Sequence, residues 1–128
     1  CDVAIANTYY LAGMLSSDDE TTQQQAKKVK VMWPNQNDRG AHINISGVAL
    51  AKNAPNKEAA VKLIDFLLSN ESQLWYATTN HEYPVLVDIA WSELLQSFGT
   101  FKTEQVPLSK LGELNAAAVQ MMDRAGWK

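Results

Sequence analysis

Along this chain, short apolar runs alternate with segments whose apolar residues recur at helical spacing. "DVAIA" (2–6), "VKVMWP" (29–34, stopped by Pro34) and "INISGVAL" (43–50) are too short for independent helices and predict buried strands. Gly47, inside the third run, predicts a bulge or a close backbone approach. Asn7 or Thr8 offers an N-cap, and Tyr9, Leu11, Met14 and Leu15 follow at near-helical spacing. "SSDDETTQQQAKKV" is polar throughout, with acids first and lysines last, as a solvent-exposed helix prefers for its dipole.

The second half is more plainly helical. Ala60, Leu63, Ile64, Leu67 and Leu68 form one apolar stripe behind Asn56 as cap. Asn70 and Gln73 resemble a capping box that restarts the helix, and Pro84 predicts an extended Tyr83. "WSELLQSF" predicts one or two helical turns ended by Gly99. A last helix is predicted from about Pro107–Ser109 to Ala125, with Leu111, Leu114, Ala118, Met121 and Met122 on one side and Gly126 as its stop. The class is α/β, with about three strands in a thin sheet and helices packed on them.

With 128 residues, 46% of them hydrophobic and 20% charged, one globular core can form. A net charge of −3 argues against nucleic acid as a partner. No apolar run reaches the roughly 20 residues that span a bilayer. The single cysteine, Cys1, has no internal partner for a disulfide or a thiolate cluster. A chain that opens on "CDVAIA", already in strand pattern and without an initiator methionine, reads as part of something longer.

Candidate chemistry centres on Tyr9 and Tyr10, in the first turn of a helix, where unpaired N–H groups and the dipole favour anions. A phenol ionises near pH 10, so a tyrosinate at neutral pH needs a strong cation beside it, and a hard trivalent metal is one. Adjacent helical side chains point about 100° apart, so a shared metal requires the chain to bend there. The spacing leaves two readings open: a metal site, or aromatic packing with the hydroxyls turned outward. His42 and His81 match no metal-binding spacing and read as surface or hydrogen-bonded imidazoles. Asn44 opens a formal glycosylation acceptor inside a predicted strand. No nucleophile–base motif or phosphate-binding loop appears, which points to a binding protein and not an enzyme.

Four stretches, "ANTYYL", "WPNQNDRGAHINISGVALAKNAPNKEAAVKLIDFLLSNESQ", "NHEYPV" and the closing "AGW", together resemble the C-terminal part of the periplasmic ferric-ion-binding proteins of bacterial ABC importers. "NKEAAVKLIDFLLS" is common to many solute-binding proteins; "ANTYY", "PNQ…GAHINISG" and "NHEYPV" point to the iron branch. The resemblance implies a part of the two-lobed type II periplasmic-binding-protein fold. In it, 1–39 and 91–128 would belong to the C-terminal lobe, and 40–90, entered by a hinge strand near "GAHINIS", to the N-terminal lobe. It implies phenolate ligation of ferric iron by Tyr9 and Tyr10, and a synergistic anion, phosphate or carbonate, held by Asn7.

Further implications follow from the same resemblance. They are a periplasmic location, an ABC permease in the inner membrane as recipient of the iron, and an N-terminal portion of the parent chain that supplies the remaining ligands. Without that portion, the apolar helix at 60–68 would lie exposed, favouring self-association or a domain swap between copies. Cys1 could pair with a cysteine in the absent segment, as an oxidising periplasm allows. Related carriers of polyamines, thiamine or anions, and a ligand-free interaction fragment, are the alternative readings.

Overall fold

The computed structural model describes residues 2–127. Its helices are α1 (Thr8–Leu15), α2 (Glu20–Ala26), α3 (Lys57–Leu67), α4 (Asn70–Trp75), α5 (Glu93–Ser97) and α6 (Leu108–Ala125), with a π-helical turn, Tyr76–Asn80, continuing α4. Two compact units are present. One comprises the chain up to Trp33 with Asn44–Thr100, the other Pro34–Ile43 with the chain from Phe101 onward.

In the first unit α1 packs on α2, and one alanine of each helix, Ala12 and Ala26, is completely buried. Asp19 starts α2, its carboxylate accepting from the backbone N–H of Thr21 and Thr22 and from the Thr22 hydroxyl at 2.6 Å. These bonds favour the ionised carboxylate and hold its pKa below the usual range, the Thr22 hydroxyl contributing most.

The junction between α3 and α4 depends on two buried polar side chains. The N-cap of α4 is Ser69, whose hydroxyl accepts from Ser72 N–H, so the restart is capped one residue earlier than the predicted Asn70–Gln73 box. Ser72 Oγ donates to Phe66 O at 2.7 Å, a carbonyl that also accepts from Ser69 N–H, and Gln73 Nε2 donates to Leu67 O at 2.9 Å, so both side chains hold the last turn of α3. Gln73 Oε1 also accepts from Val85 N–H at 2.9 Å, tying the segment after the π turn to α4. Beside it Tyr83 stands edge-on between Trp33 and Trp91, with ring centroids 6.3 and 4.8 Å away. Burial pushes its phenol pKa up to about 12.

The second unit is organised around one parallel bridge, Ala41 to Thr103. Ala41 N–H donates to Lys102 O and Glu104 N–H to Ala41 O, each at 2.8 Å. Gln36 prolongs this pairing with its side chain, its Oε1 accepting from Lys102 N–H at 2.7 Å and its Nε2 donating to Lys102 O at 3.2 Å. Glu104, mostly buried, receives Arg39 Nε and His42 Nδ1, both at 3.1 Å. Gly40 has φ +95°, and a Cβ there would lie 2.7 Å from the Thr103 backbone. A side chain would push the two segments apart.

Two expectations change. Among the described residues the runs at 2–6, 29–34 and 43–50 form no strand ladder, and Gly47 approaches no backbone, with nothing within 4 Å of an added Cβ. An apolar run predicts burial and an extended habit; a strand also needs a neighbour in register, and sequence pattern does not supply one. The helices follow the pattern closely. Gly99 (φ +80°) closes α5 and Gly126 (φ +65°) closes α6, where Trp127 N–H reaches back to Met122 O. α3 and α6 bury no side chain fully, and Leu63, Phe66, Leu111 and Leu114 are each about half exposed.

Candidate functional site

The site is built on the first turn of α1. Asn7 occupies the N-cap position with extended backbone (φ −73°, ψ 144°), yet its side chain makes no capping bond. Its Nδ2 instead donates to the Tyr9 hydroxyl at 3.0 Å, and its Oδ1 accepts from Asn44 Nδ2 at 3.3 Å. Three residues singled out from the sequence, Asn7, Tyr9 and Tyr10, therefore lie together. Asn44 joins them from far along the chain.

The tyrosine rings converge without a break in the helix. Their centroids are 4.5 Å apart and their planes tilted by 47°. α1 runs uninterrupted through both positions, so side-chain torsions alone bring together phenols whose Cα–Cβ bonds diverge. Tyr9 is half-buried, whereas Tyr10 is 60% exposed. The Tyr10 pKa is raised above the usual phenol value by hydrogen bonding with the Tyr9 side chain first and by the Tyr9 charge second.

The histidines lie elsewhere. His42 is hydrogen-bonded to Glu104, in keeping with a hydrogen-bonded imidazole. His81 adopts a left-handed backbone (φ 58°) after the π turn, and its buried Nδ1 has no hydrogen-bond partner among the described residues. Among those residues, no group of three or more His, Cys, Asp or Glu side chains is placed to hold a metal ion. No described helix is long and apolar enough to cross a membrane. Cys1 lies outside the described residues.

Comparison with known proteins gives the chain a family. Residues 5–103 match the family described as bacterial extracellular solute-binding protein, and the chain belongs to it. It is 46% identical over 127 residues to iron uptake protein A1 of Synechocystis, matching 99% of this chain and 35% of that protein. It is 27% identical to the major ferric iron-binding protein of Neisseria meningitidis, over 99% of this chain and 37% of that protein. The chain thus spans about a third of the length of these relatives.

Solved structures agree. The Trichodesmium FutA (IdiA) structure, in complex with iron and citrate, superposes with a TM-score of 0.90 at 46% identity, covering 96% of this chain and 39% of that one. The ferric binding protein of Campylobacter jejuni gives a TM-score of 0.90 at 37% identity, covering 97% and 39%. The chain has the type II periplasmic-binding-protein fold over the portion it covers, within the α/β class expected.

Proposed function

We propose that this chain is the C-terminal portion of a periplasmic ferric-iron carrier, and that Tyr9 and Tyr10 bind the ion as phenolates. The observation that carries the reading is the Asn7–Tyr9–Tyr10 cluster at the start of α1 in a chain akin to iron-uptake and ferric-binding proteins. The exposure of Tyr10 favours ligation over packing, since a purely structural ring gains most from being covered. Iron is cargo here, and the chain performs no catalysis.

Asn7 holds a synergistic anion, phosphate or carbonate, beside the metal. The open N-terminus of α1, which no side chain caps, adds N–H donors and a favourable dipole for it. Two phenolates and an anion leave coordination positions that an N-terminal portion of the parent fills from the opposite lobe. The lobe assignment, 1–39 and 91–128 against 40–90, belongs to this proposal, as does delivery to an ABC permease after the lobes close.

The reading is tested by placing this chain in Synechocystis iron uptake protein A1 in exchange for the matching segment, then measuring ferric affinity by chelate competition. Phosphate or carbonate should tighten binding, and Asn7→Ala should remove that dependence. Binding that is indifferent to the anions in both proteins would contradict the role given to Asn7.

A further inference from the structure

We propose that Asn44 is a positioning residue of this site, orienting the Asn7 amide so that an N–H, not a carbonyl, faces the Tyr9 phenol oxygen. The inference rests on the ferric reading above and extends it to a residue well removed in sequence. A primary amide has a donor end and an acceptor end of nearly the same shape, so its neighbours decide which way it turns. An N-cap asparagine ordinarily spends its oxygen on the N–H groups of the first turn. Asn7 does not: its Oδ1 is engaged by Asn44 Nδ2 at 3.3 Å, and its Nδ2 is thereby directed to Tyr9 Oη at 3.0 Å.

The direction of that amide matters chemically. A neutral phenol can donate to a carbonyl or accept from an N–H, but a phenolate can only accept. An N–H facing the Tyr9 oxygen leaves that oxygen's remaining lone pair free to face a hard cation, whereas a carbonyl there would engage the hydroxyl hydrogen instead. The same N–H end suits an oxyanion beside the metal, which a carbonyl would repel. Asn44 touches neither phenol in the hydrogen-bond pattern, and acts through Asn7 alone.

The test uses the A1 chimera described above. Asn44→Leu removes the amide at similar size and adds no charge, and Asn44→Gln keeps it on a longer arm. Ferric affinity and the visible phenolate-to-iron absorption band are read together, with thermal unfolding of the iron-free proteins as a check on folding. Asn44→Leu should weaken ferric binding about tenfold, the scale of one charge-assisted hydrogen bond, and shift the band. Asn44→Gln should recover part of both. Combined with Asn7→Ala it should add nothing, because both substitutions break one chain of bonds. Unchanged affinity and band in Asn44→Leu, or effects that add to those of Asn7→Ala, would overturn the proposal. If Tyr9→Phe/Tyr10→Phe abolishes iron binding while Asn44→Leu leaves it intact, this inference falls and the ferric reading stands; if the tyrosine pair proves dispensable, both fall.

Discussion

Asn7 donates its amide to the Tyr9 hydroxyl at 3.0 Å while standing at the N-cap of α1 without capping it. The helix forgoes a stabilisation of about 1 kcal/mol that this residue type normally supplies there. Side chains withheld from a local structural role in this way mark positions where function competes with stability. The open helix start is a consequence of that choice.

The polar junction between α3 and α4 should be a point of high sensitivity. Gln73 is only 7% exposed and bridges Leu67 O to Val85 N–H, so Gln73→Ala removes both bonds and empties a buried position. A loss of about 2 kcal/mol is expected. Urea unfolding of the chimera measures it; a loss below a few tenths would show that water replaces both bonds.

Gly40 should tolerate no side chain. Its φ of +95° and the 2.7 Å approach of the Thr103 backbone combine backbone strain with steric overlap in Gly40→Ala. The strain alone costs about 1–3 kcal/mol. Chemical denaturation should register at least that, whereas Gly47→Ala, in open space, should fall within about 0.5 kcal/mol of the parent.

Tyr83 gives the account a pH signature. Burial raises its pKa to about 12, so the folded protein favours the neutral phenol more strongly than the unfolded chain does. This contribution is fully present below pH 10 and is lost as pH rises through about 12. Absorbance titration of tyrosinate should therefore show a late-ionising component that Tyr83→Phe removes. A titration unchanged by that substitution would contradict the burial assigned to this ring.

The isolated chain should self-associate. Leu63 and Phe66 of α3, and Leu111 and Leu114 of α6, each leave about half of their apolar side chain exposed among the described residues. Sedimentation should show concentration-dependent oligomers, reduced by Leu63→Lys with Phe66→Lys. A monodisperse monomer that unfolds cooperatively would contradict the expectation.

What could be read from the sequence follows the range of the interactions involved. α3 and α6 were legible because their apolar residues repeat at helical spacing and Gly126 ends the pattern locally. Tyr9 and Tyr10 were legible as a pair, yet their convergence was not, because it is decided by side-chain torsions and not by position on a helical wheel. The bonds made by Gln36, Gln73 and Asn44 were not legible for one reason: each satisfies backbone or amide groups remote in sequence, and a lone polar side chain gives no local sign of such a partner. The predicted strands failed in the same sense, since pairing is a property of two segments and the apolar run describes only one.

The central claim is tested most directly by ferric titration of the chimera, from a weak chelate in phosphate or carbonate buffer, beside its Tyr9→Phe/Tyr10→Phe counterpart. A saturable visible phenolate-to-iron band is expected in the parent, reduced in each single variant and lost in the double variant together with most of the affinity. An equal band and equal affinity in the double variant would return the tyrosines to a packing role and contradict the iron site assigned to this chain.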